Sequence, residues 1–178
     1  AHQKCVQGNE KIMYYLAQMV RYPYDFKQLI YSSQLVQADC IRSNVEHMRR
    51  ARGRCMGSAY WQGNDSNPVI SWSSIDYFGR WKGLHYYAKR FYAPCLISCD
   101  DTDRKKPVLN ISNERMTAFE GIVKWTLRNN KAEILQSGEK SVSVPPLTAQ
   151  NVLTIDLSAE LKNRTDPRDK YLEYSIIE

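Results

Sequence analysis

The residues best spaced for chemistry lie in one turn, Trp61-Gln62-Gly63-Asn64-Asp65. An indole offers a flat apolar face, and the amide and carboxylate close behind it offer hydrogen-bonding groups, so the turn suits a polar ligand with C–H faces. A second reading stands beside this one: Trp61 as a core side chain, with Asn64 and Asp65 bonding their own backbone as these residues do in turns. The other carboxylates do not pair for acid–base work. Glu10 and Glu46 sit in helical patterns beside polar neighbours and read as solvated, and Asp76 reads as a tie for its own loop. His2, His47 and His85 are isolated, and His85 reads as a packed core histidine. The five cysteines, Cys5, Cys40, Cys55, Cys95 and Cys99, have no metal-ligand spacing and no disulfide framework. They read as small hydrophobes or surface thiols, which leans towards a reducing, cytoplasmic setting.

The elements that must position that turn can be read around it. Met56–Trp61 is a short apolar run with the small residues Gly57, Ser58 and Ala59, and is expected to be a strand. Gly63-Asn64-Asp65-Ser66-Asn67-Pro68 ends it. A loop with Trp72, Asp76 and Tyr77 follows, then a helical pattern of Trp81, Leu84, His85, Ala88 and Phe91. Strand, decorated loop and helix make a βα unit, whose loop carries the site in barrels and wound sheets. Upstream, residues 9–20 give a helix with Asn9 as its cap and Ile12, Tyr15, Leu16 and Met19 on one face. After Tyr22-Pro23-Tyr24, Asp25 and Gln28 form a capping box for a longer helix, whose apolar face is Phe26, Leu29, Ile30, Val36, Cys40, Ile41, Val45 and Met48. Beyond Pro94 the period falls to 2. Strands are expected around Val108–Asn113, Phe119–Leu127, Val142–Val144, Val152–Ile155 and Tyr171–Ile177, spaced as in a β-sandwich. Asp100–Lys106 reads as a polar lead-in. The boundary is expected near residue 95, giving 1–94 and 95–178.

Composition narrows the function classes. The 178 residues carry 25 basic and 19 acidic side chains, a net of +6. The one dense basic cluster is Arg49, Arg50, Arg52 and Arg54. It reads as the C-terminal end of a helix rather than a nucleic-acid patch, because no nucleic-acid motif accompanies it. No apolar run reaches membrane-spanning length, so a membrane partner is not expected. Asn64-Asp65-Ser66, Asn110-Ile111-Ser112 and Asn163-Arg164-Thr165 match glycosylation acceptors, a pattern short enough to recur by chance. One strand and three helices in the first 94 residues cannot close a parallel sheet, and an eightfold barrel takes about 250 residues. The front half is either a small helical domain or the tail of a barrel. The start, Ala1-His2-Gln3-Lys4, lacks an initiator Met and suggests a processed chain or a piece of a longer one.

Three phrases decide between these. FKQLIYSSQLVQADCIR, VEHMRRARGRCMG and MGSAYWQGNDSNPVISWSSIDYFGRWKGLHYYAKRFYAPCLIS closely resemble the C-terminal part of the β-mannosidases of glycoside hydrolase family two. The resemblance covers residues 1 to about 99; residues 100–178 are less distinctive, but that family follows its barrel with immunoglobulin-like sandwiches. It implies the C-terminal portion of an α/β (TIM) barrel, with Cys55–Trp61 as its eighth strand, Gly79–Tyr92 as the eighth helix and Asp25–Met48 as the helix before it. An all-β immunoglobulin-like sandwich follows. The family hydrolyses β-mannosides with retention, using two glutamates about 5 Å apart. Both lie upstream of the stretch matched here, so the chain reads as a C-terminal fragment with no catalytic residue of its own, no metal and no cofactor. The resemblance makes Trp61 the platform under the bound mannose and puts Asn64 and Asp65 within reach of sugar hydroxyls. Asn67 departs from the family, which usually has Trp there, and this opens the rim of the pocket.

The expected partners are a β-mannoside and the rest of the parent enzyme, with self-association of the chain through its uncovered apolar surface. Two alternatives remain: another family-two activity of β-galactosidase or β-glucuronidase type, and a non-catalytic carbohydrate-binding or scaffold module built on the sandwich.

Overall fold

A computed structural model describes residues 5–161 and 169–178. His2 and the acceptor pattern at Asn163 lie outside the described residues. The chain divides into two compact units. The first joins Ala1–Glu46 to Gly57–Tyr92, and the second joins His47–Met56 to Ala93–Glu178.

The first unit is helical. Helix α1 spans Gly8–Met19, α2 Phe26–Arg50 and α3 Gly83–Phe91. Asn9 does not cap α1. The helical ladder starts earlier, with the Lys11 N–H on the Gln7 carbonyl, so Gln7 takes the cap position and Asn9 lies inside the first turn. Helix α2 starts as its sequence predicts: the Asp25 carboxylate accepts the Gln28 N–H at 2.7 Å, satisfying an orphan donor of the first turn. The Gln28 side chain reaches back to the Tyr24 N–H at 3.4 Å, one residue short of a strict capping box.

Ala38 and Val45 of α2 pack with Leu84, Ala88 and Phe91 of α3, and Ile41, Tyr60 and Tyr87 close around them. That leaves much of the expected α2 face without cover. Phe26, Ile30 and Cys40 are exposed, as are Tyr15 and Met19 of α1. Glu46 corrects the expectation of a solvated carboxylate: it is buried and paired with Arg42 one turn earlier at 3.3 Å, a guanidinium that also holds Asp39 at 2.7 Å. Trp81 is exposed and His85 half-buried, because Trp81 precedes the helix and α3 buries Leu84, Ala88 and Phe91 instead.

Cys55–Trp61 is not a strand. A parallel strand exists only as part of a hydrogen-bonded ladder, and among the described residues no ladder includes this segment. The first backbone bridges come later, between Asn64 and Ile75 and between Ile75 and Trp81.

The second unit is a β-sandwich. Strands β1 (Cys95–Asp100), β2 (Val108–Asn113) and β5 (Thr148–Thr154) form one antiparallel sheet in the order β1-β2-β5. Strands β4 (Ile134–Val144), β3 (Phe119–Asn129) and β6 (Lys170–Ile177) form the other, in the order β4-β3-β6. Alternate residues of both sheets meet in one core: Leu109 and Ile111 from β2, Val152 from β5, Phe119, Val123 and Leu127 from β3, and Val144 from β4. Strand β1 was not among the strands expected from the sequence. Its Cys95, Ile97 and Cys99 instead pack on that core as small hydrophobes, and Asp100–Lys106 is the tip and flank of the β1–β2 connection rather than a lead-in. Strand β4 runs eight residues further back than Val142, because its polar stretch is paired residue by residue with β3.

Arg49 in the last turn of α2 and Arg52 just beyond it are used within this unit. Arg49 donates to the Ala93 carbonyl at 2.8 Å, and Arg52 donates to the Leu147 carbonyl at 2.5 Å and pairs with Glu114. Neither guanidinium is displayed as a binding patch; both fasten the turn after the helix to sandwich loops. Asn110 is buried and donates to Asn151 at 2.9 Å, so its acceptor pattern is closed to modification.

Candidate functional site: the Trp61 turn

The site is built on the segment that leaves the α2–α3 core. Tyr60 packs into that core, stacks on Tyr92 with ring centroids 6.3 Å apart, and meets Phe91 edge-on at 6.4 Å. The Tyr92 hydroxyl donates to the Ser58 carbonyl at 3.1 Å. With Tyr60 turned inward, the next residue is carried outward, and Trp61 is 72% exposed. Of the three residues singled out from the sequence, Trp61 and Asn64 stand exposed, and Asp65 is only 6% exposed.

Three short backbone runs frame the turn. The Ser74 N–H donates to the Gln62 carbonyl at 3.0 Å, the Ile75 N–H to Gly63 at 2.9 Å, and the Asp65 N–H to Ile75 at 3.1 Å. On the other side the Lys82 N–H donates to the Ser74 carbonyl at 2.9 Å and the Asp76 N–H to Arg80 at 2.9 Å. Gly79 completes the 76–80 turn with φ of 80°, a conformation that favours glycine. Asp76 ties this turn, as its sequence context suggests: its carboxylate accepts the N–H groups of Phe78 and Arg80 at 2.9 Å each and the Arg80 guanidinium at 2.6 Å. Burial alone would raise this carboxyl's pKa; the Arg80 and Phe78 donors outweigh it and hold it below the ordinary carboxylate range.

Beneath the turn lies a buried polar cluster that sequence reasoning missed. Asp65 Oδ1 accepts the Ser71 hydroxyl at 2.5 Å, Oδ2 accepts the Ser73 hydroxyl at 2.6 Å, and the Lys82 ammonium reaches Oδ2 at 3.1 Å. Lys82 also donates to the Ser73 and Ser71 oxygens at 2.7 and 3.2 Å. A little apart, the Tyr60 hydroxyl donates to Ser74 Oγ at 3.0 Å, which also lies 2.9 Å from the Gly63 carbonyl and 3.2 Å from His85 Nδ1. Helix α2 braces the loop from behind: Gln37 donates to the Trp72 carbonyl at 2.8 Å, and the Gln34 side chain accepts the Gly83 N–H at 2.9 Å, at the start of α3. Gly83 has to be small there, since a Cβ would stand 3.3 Å from the Gln34 carbonyl oxygen. The available signal was the serine run Ser71, Ser73, Ser74 followed nine residues on by Lys82, but serines in a loop read as solvated until the chain folds over them.

The arrangement is a rigid, water-exposed aromatic ledge with a polar rim. Among the described residues no cluster of three or more His, Cys, Asp or Glu is placed to hold a metal ion, no helix is long and apolar enough to cross a membrane, and all five cysteines are free thiols.

Comparison with known proteins shows what the chain is similar to. Residues 106–178 match the family described as the Mannosidase Ig/CBM-like domain. The chain is similar to the β-mannosidase of Capra hircus, 44% identical over 86 residues, and to that of Bos taurus, 36% identical over 115 residues. These alignments cover 44% and 57% of this chain but 10% and 13% of the relatives, so the chain spans a small part of their length. Among solved structures, the β-D-mannosidase of Dictyoglomus thermophilum superposes over 98% of this chain and 21% of its own, with a TM-score of 0.88 at 24% identity, and so shares the fold. The chain is thus similar to a short part of curated β-mannosidases, and its residues 106–178 match the domain model described for that group.

Proposed function

We propose that this chain supplies the closing βα unit and the following immunoglobulin-like domain of a retaining exo-β-mannosidase, and that residues 1–94 belong to its catalytic barrel. The catalytic glutamate pair is provided by the rest of the protein. Trp61 is the platform on which the terminal mannose rests, its indole meeting the C–H face of the sugar. Asn64, exposed three residues on, hydrogen-bonds the sugar hydroxyls, and Asp65 serves the site from below by fixing the turn.

The observation that carries this reading is the exposed Trp61 indole at the head of a turn pinned by three backbone hydrogen bonds. An exposed indole at the head of such a turn suits a ligand that brings its own apolar face. The uncovered aromatic and aliphatic side chains of the helical unit, among them Tyr15, Met19, Phe26 and Ile30, support the barrel reading, because they are the surface a barrel's remaining strands and helices would bury.

The test is co-expression of this chain with the preceding part of the parent protein, followed by assay on aryl β-mannosides. The completed enzyme should turn over, the 178-residue chain alone should not, and Trp61→Ala should slow the completed enzyme on the order of a hundredfold through lost stacking and positioning. An unchanged rate in that variant would remove Trp61 from the site. Turnover of aryl β-galactosides or β-glucuronides in place of mannosides would move the reading to another family-two activity, and sugar binding without turnover by any completed protein would leave a carbohydrate-binding module.

A further inference from the structure

We infer that Lys82 is a positioning residue for the sugar-binding turn, acting through Asp65 to hold Trp61 where a ligand meets it. The inference rests on the reading of Trp61 as the platform, but its geometry stands independently. Asp65 connects to the turn twice, through its backbone N–H on the Ile75 carbonyl and through the side-chain cluster. Lys82 does the same from the opposite side, its N–H on the Ser74 carbonyl and its ammonium on Asp65, Ser71 and Ser73. One ion pair therefore bridges the two outer runs of the frame around residues 62–65, 73–76 and 80–82. Both partners are withdrawn from water, with side-chain exposures of 13% for Lys82 and 2% for Asp65. In that setting, loss of the cation leaves a buried carboxylate with hydroxyl donors only, a state that costs far more than loss of an exposed pair.

The charged group facing Asp65 is Lys82, reaching in from the residues before α3; Ser71 and Ser73 face it from its own loop. Burial raises the Asp65 carboxyl, and the two serine donors and Lys82 together outweigh it, leaving the pKa lowered. A folded value below the unfolded one gives a contribution that is complete above the ordinary carboxyl pKa and is lost as pH falls through the folded value. Loosening of the turn should therefore be confined to acid in the native chain.

The experiment follows the Trp61 indole N–H and the Gly63 and Ile75 amides by NMR during an acid titration of the 178-residue chain, with Trp61→Phe assigning the indole. In the native chain these signals should move together below the ordinary carboxyl range. Lys82→Met should raise their common midpoint by about one pH unit or more, as expected for a carboxylate that loses an adjacent cation, and Lys82→Arg should return most of that shift. Asp65→Asn should abolish the transition. If Lys82→Met melts the helical unit outright, rescue by Lys82→Arg still supports a role for the charge, and melting by both variants overturns it in favour of packing alone. Turn signals that ignore Lys82→Met would also overturn it. None of these readouts needs glycosidase activity, so failure here and failure of the β-mannosidase reading are separable.

Discussion

The two units of this chain close their cores by different means. In the sandwich, both sheets turn alternate residues inward, and Leu109, Ile111, Phe119, Val123 and Val144 lose essentially all contact with water. The helical unit has a small core of Ala38, Val45, Leu84, Ala88 and Phe91 and leaves Tyr15, Met19, Phe26 and Ile30 exposed. Hydrophobic burial scales with the area removed from water, so the sandwich has the means to fold by itself. The helical unit buries fewer apolar side chains, and polar bonds pin its Trp61 turn. The half with the larger shared core is the sandwich, and the candidate site lies in the other half.

Mutations can sharpen this contrast. Phe119→Ala should have the largest effect, destabilising the sandwich by about 3–5 kcal/mol through loss of a fully buried aromatic ring and the cavity it leaves; urea unfolding followed by near-ultraviolet circular dichroism measures it. Gly121→Ala should follow at about 1–3 kcal/mol, because the new methyl would sit 2.3 Å from the Ile177 carbonyl oxygen across the β3–β6 pairing. Asp25→Ala should cost about 1 kcal/mol and fray the start of α2, read by faster amide exchange at Gln28, with the sandwich unaffected. An equal loss of protection in both units would show that they unfold as one and would break the comparison. The smallest effect is a gain. Ala132 holds a φ of 63° in the β3–β4 turn, and Ala132→Gly should raise the sandwich midpoint by up to about 1 kcal/mol of stability.

Much of this was legible beforehand for identifiable reasons. Helices α2 and α3 announced themselves through apolar residues at three- and four-residue spacing and through the Asp25 cap. Strands β2, β3 and β6 announced themselves through β-branched and aromatic residues at period 2. Strand β1 was hidden because its inward residues include Cys95 and Cys99, and its outward Leu96 and Ser98 are buried too, which erases the alternation. Most of β4 was hidden because Gln136 to Ser141 are polar and are held by pairing with β3 rather than by burial. At the site, Trp61 and Asn64 could be picked out because they sit within one turn. The Ser71–Ser73–Lys82 cluster could not, since its members become neighbours of Asp65 only when a loop of about fifteen residues folds back. The pairing of Glu46 with Arg42 was visible as an i,i+4 spacing, but its burial depended on tertiary packing.

Hydrogen exchange on the chain alone, and again with the preceding part of the parent protein present, tests the central claim most directly. The account predicts strong protection in β2 and β3 under both conditions, and rapid exchange at the amides of residues 58–61 that slows when the preceding part is supplied. Protection of 58–61 in the isolated chain as strong as that of β3 would contradict it, because the segment before the Trp61 turn would then belong to a unit already complete.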